Sequence, residues 1–228
     1  MRKRRTALAP LTGHSHYDER VTAADARVDP RRARTRAALI LAAQEILAED
    51  ARAEVSIQTI TDTAGVGFGS FYNHFASKDD LFQAAIVELM EAQGALVDKA
   101  TVDIEDPAEI YLAGFRRTGR WVRQIPQAAR FVVNTGYAVI TADFGLAPRA
   151  LRDLKAAAAA GRFEVDDPEQ ASAAASGAML GFVQYLLDHP EVDAAQASDR
   201  LAVSVAMMHG MPRAQAEEIV SRPLPELT

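Results

Sequence analysis

The stretch that most constrains the fold runs from Ser56 to Leu81 and has the sequence SIQTITDTAGVGFGSFYNHFASKDDL. Serine is a preferred residue at the start of a helix. Ser56 precedes apolar residues that recur at helical spacing, namely Ile57, Ile60 and Ala64. Gly65 follows them and tolerates the positive φ with which many helices end. The pattern therefore predicts a short helix over residues 57–64 and a second short helix from Ser70 to Phe75.

A further helix is predicted to begin directly after this pair. Ser77 is a suitable capping residue, and Asp79 and Asp80 lie where the positive end of a helix dipole favours negative charge. Two short helices joined by a tight turn that contains glycine form a helix-turn-helix, whose second helix can enter the major groove of DNA. The stretch thus predicts a DNA-binding domain.

The first helix of that domain is predicted from about Arg31 to Glu49. Asp29 can cap it, and Pro30 can occupy its first position. Its apolar face is expected to pack on the helix-turn-helix and form a small three-helix core. That face comprises Leu39, Ile40, Ala43, Ile46 and Leu47. Arg34 and Arg36 lie near the positive end of this helix, where their guanidinium groups can reach DNA phosphates.

The run AGVGFGSFYNHFASKDDL, preceded by the spacing I-x-x-I-x-x-x-A, resembles the DNA-binding domain of the tetracycline-repressor-like (TetR) family of bacterial transcription regulators. The resemblance extends back through the first helix, LILAAQEILAE, and so covers residues 39–81. The remaining C-terminal part resembles the family only in its length and helical character. The resemblance implies a domain order of a DNA-binding domain over residues 30–78 and a helical ligand-binding and dimerisation domain over residues 79–228.

The resemblance also implies which residues contact DNA. Tyr72, His74 and Lys78 match positions that contact phosphates, and Gln58 matches a position that contacts the DNA backbone or a base. Residues 67–70 match positions that approach base edges. With the two arginines of the first helix, the predicted DNA-binding residues are Arg34, Arg36, Ser56, Gln58, Gly67, Phe68, Gly69, Ser70, Tyr72, Asn73, His74 and Lys78.

The second helix of the motif carries few polar side chains with which to read a base sequence. Gly67 and Gly69 have no side chain, and Phe68 can make only apolar contacts, for example with a thymine methyl group. Sequence readout is therefore expected to depend on Ser70, Phe68, Gln58 and the shape of the DNA.

The charge of the chain is unevenly distributed. The net charge is −6 and the pI is about 5.4, yet the first 36 residues are rich in arginine and the rest is acidic. An acidic pI is thus compatible with a locally basic DNA-binding end. No apolar run is long enough to span a membrane, and the absence of cysteine excludes disulfides and thiolate metal sites. We expect a soluble cytoplasmic protein.

Residues 1–29 lack a periodic apolar pattern and are interpreted as a disordered basic tail. The run Arg2 to Arg5 either adds salt-sensitive DNA contacts or is a solvated tail without a defined partner. His14 and His16 lie near Asp18, but scattered histidines in such a tail do not predict a metal site.

The C-terminal part is helical by pattern throughout. A long helix is predicted from Lys78 to about Lys99, where Asp103 to Pro107 interrupt the pattern. Proline- and glycine-containing breaks then separate predicted helices at 107–124, 126–139, 148–160, 168–188, 194–209 and 212–221. The sequence contains no glycine-rich phosphate loop, no dinucleotide fingerprint and no catalytic constellation. We expect neither an enzyme nor a cofactor.

A ligand pocket between these helices is implied by the resemblance rather than by residue spacing. The residues predicted to line it are Tyr111, Phe115, Trp121, Phe131, Asn134, Tyr137, Met179 and Phe182. Arg120, Arg123 and Asn134 either orient a polar group of the ligand or lie on an exposed face. The alternative for each large apolar residue is a place in the core.

Two C-terminal helices resemble the pair that forms the intersubunit four-helix bundle of the family. Residues 168–188 contain small side chains at helical spacing, which let helices approach closely. Residues 194–209 carry an apolar stripe. A homodimer is also required geometrically, because two recognition helices must reach half-sites about one helical turn apart. The alternative is a helical hairpin within a monomer.

The sequence therefore predicts an all-α protein, with a three-helix helix-turn-helix domain and a C-terminal helical ligand-binding and dimerisation domain. The predicted function is a ligand-responsive transcriptional regulator, a homodimeric repressor that a small apolar molecule releases from a near-palindromic double-stranded DNA operator. One alternative is an activator or a co-repressor-dependent regulator on the same fold. Another, from a different class, is a helical small-molecule carrier or enzyme.

Overall fold

The computed structural model describes residues 29–48, 55–136 and 143–226. Throughout these residues the regular structure is helical, as predicted for an all-α protein. The described residues form ten helices: α1 (Pro30–Ala48), α2 (Ile57–Thr63), α3 (Phe68–Phe71), α4 (Lys78–Ala100), α5 (Pro107–Gln124), α6 (Pro126–Thr135), α7 (Leu146–Ala159), α8 (Pro168–Asp188), α9 (Ala194–Met208) and α10 (Arg213–Ser221). The interpretation of residues 1–28 as a tail lies outside the described residues.

The predicted caps of the first two helices are present. The Asp29 carboxylate accepts a hydrogen bond from the Arg31 backbone N–H at 2.9 Å. The Ser56 hydroxyl accepts one from the backbone N–H of Thr59 at 3.0 Å, so it satisfies a donor that the helix itself leaves unpaired. Gly65 ends this segment with φ of +65°, a conformation that a side chain would disfavour. The helix-turn-helix is thus formed by local features of the sequence.

Helix α3 differs from its prediction. It was expected over residues 70–75, but it begins at Phe68 and ends at Phe71. Gly67 caps it in an extended conformation, and Tyr72 to His74 form a turn in which the His74 N–H donates to the Phe71 carbonyl at 2.9 Å. Helix α3 ends early because Ser77, which has an extended conformation and caps α4, follows only a few residues later.

The core of the DNA-binding domain is formed by α1, α2, α3 and the first half of α4. Its fully buried side chains include Leu39, Ile40, Leu47, Ile60, Phe71, Leu81 and Phe82. The apolar positions of α1 that were predicted from spacing are all buried. Burial of these side chains is the main favourable contribution to the stability of this small domain.

Helix α4 runs from the DNA-binding domain into the C-terminal domain, and α6 also packs against α1. The 23 residues of α4 give it a length of about 35 Å at 1.5 Å per residue. Ser77 caps it, with the Asp80 N–H donating to the serine hydroxyl at 3.1 Å. Its first half buries Leu81 and Phe82 in the DNA-binding domain, and its second half buries Met90 and Val97 near the C-terminal helices.

Helix α5 is the centre of the C-terminal domain and packs against α7, α8 and α9. Its contact with α9 is close because Gly119 has no side chain: a Cβ atom there would lie 1.9 Å from the Ser198 hydroxyl. Arg116 and Arg120 reinforce the contact, since both guanidinium groups bind the Asp199 carboxylate, at 2.8 and 3.0 Å. Within the described residues, no helix is long and apolar enough to cross a membrane.

The boundaries predicted for the C-terminal helices are mostly close to those observed. Helices α5 and α8 have the predicted limits, and α9 and α10 differ by one residue at one end. Helix α7 begins at Leu146 rather than at 148, because Gly145 provides the break with φ of +71° and Pro148 is accommodated in the first turn. Helix α6 is described to Thr135, and the rest of its predicted span lies partly outside the described residues.

A buried histidine connects α5 with the end of α9. The ring of His209 packs against Phe163, and its Nε2 atom is hydrogen-bonded to the Tyr111 hydroxyl at 3.0 Å. Burial lowers the pKa of His209, because an imidazolium would lose its hydration there. The folded protein therefore contains the neutral ring.

We expect His209 to make stability depend on pH in the acid range. Below about pH 6.5 the unfolded chain binds a proton at this histidine that the folded protein does not, so the free energy of unfolding falls as the pH falls. Urea unfolding between pH 7.5 and 5.5 should show a weaker pH dependence in His209→Gln than in the wild type. His189→Gln, at an exposed histidine, controls for the replacement of an imidazole by an amide outside the core. An identical pH dependence in wild type and His209→Gln would contradict the assignment.

Candidate DNA-binding surface and ligand cavity

Two aromatic side chains are exposed on the surface that contains α3. The side chains of Phe68 and Tyr72 are 47% and 55% exposed, although large apolar residues are usually buried. Their rings pack edge to face with centroids 5.9 Å apart, and Tyr72 also packs on the buried ring of Phe71 at 5.3 Å. The two rings are thus held in position by the core while remaining accessible to a partner.

The glycines on either side of Phe68 have no side chains that would project from this surface. A Cβ atom at Gly69 would have no atom within 4 Å, and one at Gly67 would meet only the Ser70 hydroxyl at 3.8 Å. Neither glycine is therefore required for packing within the chain. Both allow the backbone of α3 to come close to another molecule.

The predicted phosphate-contacting residues His74 and Lys78 lie in the turn after α3 and at the start of α4. His74 is half-buried, and burial together with the charges of Arg32 and Arg36 lowers its pKa, so that its ring is neutral at pH 7. The Lys78 ammonium donates to the Val55 carbonyl at 3.0 Å and retains further N–H groups for a phosphate. Both side chains can therefore donate to phosphate oxygens.

Several other predicted DNA-binding residues also have partners within the domain. Gln58 is exposed and donates to the Asp62 carboxylate at 2.7 Å. Ser56 caps α2, and Asn73 is exposed on the turn after α3, where its carbonyl accepts a hydrogen bond from Arg32. The exposed amide groups of Gln58 and Asn73 extend the polar rim around Tyr72.

The two arginines of α1 differ in their surroundings. Arg34 is exposed and donates to the Pro30 carbonyl at 3.1 Å within its own helix. The Arg36 guanidinium binds Glu88 of α4 at 3.0 Å and lies over the Phe75 ring, 5.4 Å from its centroid. Arg36 thus joins α1 to α4, whereas Arg34 remains at the surface.

A cavity of about 120 Å³ lies between α4, α5, α6, α7 and α8. Its wall is mainly apolar. Of the residues predicted to line it, Tyr111, Phe115, Trp121 and Met179 do so. Trp121 is the only tryptophan of the chain, and its indole N–H has no hydrogen-bond partner among the described residues.

The other predicted lining residues are located elsewhere. Phe131 packs against the cluster that extends from the DNA-binding domain to Trp121, and Phe182 of α8 packs against α5 and α9. Asn134 is exposed in a shallow surface groove beside Gln184. Tyr137 lies outside the described residues. These predictions differ from the structure because residue type alone does not determine which side of a buried helix faces the cavity.

The hypothesis that Arg120 and Arg123 orient a ligand is also not supported. Arg120 is held by the Asp199 carboxylate. Arg123 donates to the carbonyls of Leu186, His189 and Val192 at 2.6, 2.7 and 3.1 Å. It therefore satisfies backbone groups at the C-terminal end of α8, which would otherwise lack partners.

The polar residues of the cavity were not predicted from the sequence. Asp98 of α4 and Arg149 and Asp153 of α7 line one part of its wall, and Arg117 of α5 lines another. Charged residues in an amphipathic helix are usually solvated, so their spacing gave no signal of an inward position. The cavity is consequently a mainly apolar space, with the charged groups of Asp98, Arg149 and Asp153 together at one end.

The carboxylates at this end differ in their protonation equilibria. Burial alone would raise the pKa of Asp98, but hydrogen bonds from Arg152 and Arg149 lower it below the ordinary value. Burial raises the pKa of Asp153, although Arg152 donates to it. Burial and the nearby Asp153 charge raise the pKa of Tyr111, so its hydroxyl is neutral at physiological pH.

A third surface, formed by α8 and α9, is rich in small and apolar side chains. Its exposed members are Ala174, Gly177, Ala178, Gly181, Tyr185, Met207 and Met208. Contiguous exposed apolar residues of this kind are typical of protein–protein contacts. Among the residues that the structure describes, no group of three or more His, Asp or Glu side chains could hold a metal ion.

Comparisons with known proteins identify both halves of the chain. Residues 39–85 match the model of bacterial regulatory proteins of the tetR family, and residues 106–222 match that of the tetracyclin repressor-like C-terminal domain. No curated protein matched the chain in the corresponding search.

Solved structures give the same result. A structure of RolR in complex with resorcinol is 32% identical, with 87% of this chain and 98% of that chain covered and a TM-score of 0.73. RolR without ligand is 31% identical, with 84% and 100% covered and a TM-score of 0.71. A gamma-butyrolactone receptor, an ArpA-like protein, is 20% identical, with 84% and 97% covered and a TM-score of 0.52, and is similar in fold.

Proposed function

The chain belongs to the TetR family of bacterial regulatory proteins, and on this premise we propose that it is a homodimeric repressor whose operator binding is relieved by a small hydroxylated ring compound. Regulators of this family are non-enzymatic transcription factors that bind DNA, respond to small-molecule ligands and act as dimers. The observation that supports the proposal best is that one helix, α4, extends from the helix-turn-helix to the wall of the cavity. We place the protein in the cytoplasm with the DNA that it regulates.

The surface around α3 is proposed to bind the operator. Phe68 and Tyr72 are exposed there, and the glycines beside Phe68 allow close approach to a groove. Lys78, His74 and Tyr72 donate to phosphates, which position the protein, while Ser70, Phe68 and Gln58 contact bases. Arg34 adds a phosphate contact at the edge of this surface, and Arg36, which is also exposed, joins α1 to α4.

The exposed apolar surface of α8 and α9 is proposed to be the dimer interface. Small residues such as Ala178 and Gly181 would let the same two helices of a second subunit approach closely. A two-fold axis through this surface would present two copies of α3, and a palindromic operator has two equivalent half-sites.

The effector is proposed to be a small ring compound with hydroxyl groups. RolR, which is 32% identical, has been solved with resorcinol bound. The cavity volume of about 120 Å³ is of the order that accommodates a single six-membered ring. Its apolar wall suits the ring, and Asp98, Asp153 and Arg149 provide acceptors and a donor for hydroxyl groups at one end.

DNA binding can be tested with a duplex selected from random sequence by the wild-type protein. Lys78→Ala and Tyr72→Phe should weaken binding by similar factors on different sequences, because each removes a phosphate contact. Lys78→Ala should also reduce the slope of log K against log salt by about one. Ser70→Ala should change the sequence preference. Binding is measured by fluorescence anisotropy of labelled duplex at several salt concentrations.

The matched control for the charge change is Lys155→Ala, at an exposed lysine of α7 that pairs with Glu169. This variant should retain wild-type affinity and salt dependence. The proposed orientation of α3 on DNA would be wrong if Lys78→Ala behaved in the same way as Lys155→Ala.

The dimer interface can be tested with Gly181→Glu. Gly181 is exposed and a Cβ atom there meets no neighbour, so the subunit itself should tolerate the change. Two buried carboxylates at a two-fold interface would repel each other. We expect light scattering to show monomers and the affinity for the selected duplex to fall at least tenfold. Ala156→Glu, on an exposed position of α7, should remain dimeric, and a dimeric Gly181→Glu would refute this interface.

Effector binding can be followed through Trp121, because this single tryptophan lines the cavity. Resorcinol should change its fluorescence saturably and should release the protein from the selected duplex. Toluene, a ring without hydroxyl groups, should bind more weakly because the carboxylates would receive no donor. Saturable binding that strengthens the complex with DNA would instead establish a co-repressor, and an absence of binding by resorcinol and related phenols would refute this effector class.

A further inference from the structure

Helix α5 contributes two side chains to the cavity wall whose hydrogen-bond donors have no acceptor among the described residues. Arg117 and Trp121 are four residues apart, so they lie on the same side of the helix, and both line the cavity. The Trp121 side chain is buried, and its indole N–H has no partner. The Arg117 guanidinium is partly buried and forms no ion pair or hydrogen bond within the described part of the chain. Buried donors are normally paired, so these two require an explanation.

The charges around Arg117 are repulsive. Burial is the largest cause that lowers the pKa of its guanidinium, and the charges of Arg120 and Arg116 lower it further. Those two arginines share one carboxylate, that of Asp199. This part of α5 therefore carries three positive charges near one negative charge, and Arg117 is the arginine that is left without a counter-ion. Partial burial of an unpaired charge is unfavourable, so Arg117 lowers the stability of the protein.

The carboxylates of the cavity wall are already paired with other arginines. Asp98 accepts hydrogen bonds from Arg149 at 2.8 Å and from Arg152 at 2.7 Å. Asp153 accepts one from Arg152 at 2.7 Å. The charged groups of α4 and α7 thus bind one another, and an anion that entered the cavity would find Arg117 free to pair with it.

Open space lies beside these donors. Gly114 is three residues before Arg117 and also lines the cavity, and a Cβ atom there would have no neighbour within 4 Å. The Thr118 hydroxyl donates to the Gly114 carbonyl at 2.8 Å, so it is bonded to its own helix. The part of the cavity wall that α5 forms therefore combines unpaired donors with room for a bound group.

We propose that this part of the wall binds a carboxylate group of the effector, so that the preferred effector is a hydroxylated aromatic acid rather than a neutral phenol. The inference rests on the proposed function and specifies its effector class. A guanidinium can bind a carboxylate through two parallel N–H···O bonds, and the Trp121 indole N–H can donate to the same group. Hydroxyl groups on the ring would donate to Asp98 and Asp153 in the other charged part of the wall.

Ring compounds that differ in one substituent test the proposal on the wild-type protein. The ligand 3,5-dihydroxybenzoate has a carboxylate on the resorcinol ring, and 3,5-dihydroxytoluene has a methyl group at the same position. We expect calorimetry to show that the benzoate binds at least about tenfold more tightly, because hydrogen bonds between charged groups are stronger than neutral ones. The benzoate should also release the protein from the selected duplex at a lower concentration.

Arg117→Gln should remove this preference. Its affinity for 3,5-dihydroxybenzoate should fall about tenfold, whereas its affinity for 3,5-dihydroxytoluene should not change, because only the benzoate has an anionic group. Arg117→Lys keeps the charge without the guanidinium geometry and should retain part of the preference. The thermal unfolding temperature of Arg117→Gln should equal or exceed that of the wild type, because the variant no longer buries an unpaired charge.

Trp121→Phe removes the indole N–H and keeps an aromatic ring in the cavity wall. Calorimetry should show a larger loss of affinity for the benzoate than for 3,5-dihydroxytoluene. The matched control for the loss of an arginine charge is Arg213→Gln. Arg213 is exposed on α10, pairs with Glu217 and does not line the cavity. This control should retain both affinities.

The outcomes separate the carboxylate site from the proposed function. A wild-type protein that binds resorcinol and 3,5-dihydroxytoluene and is released by them from DNA, but binds the benzoate no more tightly, would overturn the carboxylate site alone. Equal losses of affinity for both substituted ligands in Arg117→Gln would also overturn it, because a general effect on cavity shape gives that pattern. A wild-type protein that binds none of these ligands would overturn the proposed effector class, and the carboxylate site with it.

Discussion

The structure depends above all on helix α4, most of whose buried side chains belong to one continuous hydrophobic cluster that runs from the DNA-binding domain to Trp121 of α5. Leu81 and Phe82 belong to the core of the DNA-binding domain, while Met90 and Val97 face the cavity of the C-terminal domain. A continuous helix transmits a displacement along its length. A rearrangement of α4 at the cavity therefore also affects its packing in the DNA-binding domain. Through α4, a cavity between C-terminal helices can affect a DNA-binding surface with which it has no contact.

The second half of α4 is attached to α7 by ion pairs as well as by apolar packing, and the ion pairs have a physical consequence. Apolar packing between α4 and α7 is non-directional and does not distinguish one small ligand from another. Ion pairs at the edge of a cavity are directional and can be replaced by a ligand with the right donors. The space that Gly94 leaves for Arg149 brings these groups into the cavity wall, so the structure combines an apolar ligand site with a charged contact between helices.

The DNA-binding surface is built differently from the contact between α4 and α7. Its essential feature is exposure of two rings, Phe68 and Tyr72, that a folding protein would normally bury. Ring contacts with Phe71 hold Tyr72 in place, and Arg36 joins α1 to α4 in the same domain. The preorganisation of the surface therefore comes from the small core, whereas its chemistry comes from side chains that contribute little to stability.

Local features of the sequence determined the helix-turn-helix and most helix boundaries. Ser56, Gly65 and Ser77 act on their immediate neighbours, so their effects are visible without knowledge of the fold. The predicted apolar face of α1 was confirmed for the same reason. Only the tertiary structure decided which side chains line the cavity, why Arg123 binds the end of α8 and why Arg149 reaches Asp98, because these contacts depend on how helices distant in sequence are rotated and placed against each other.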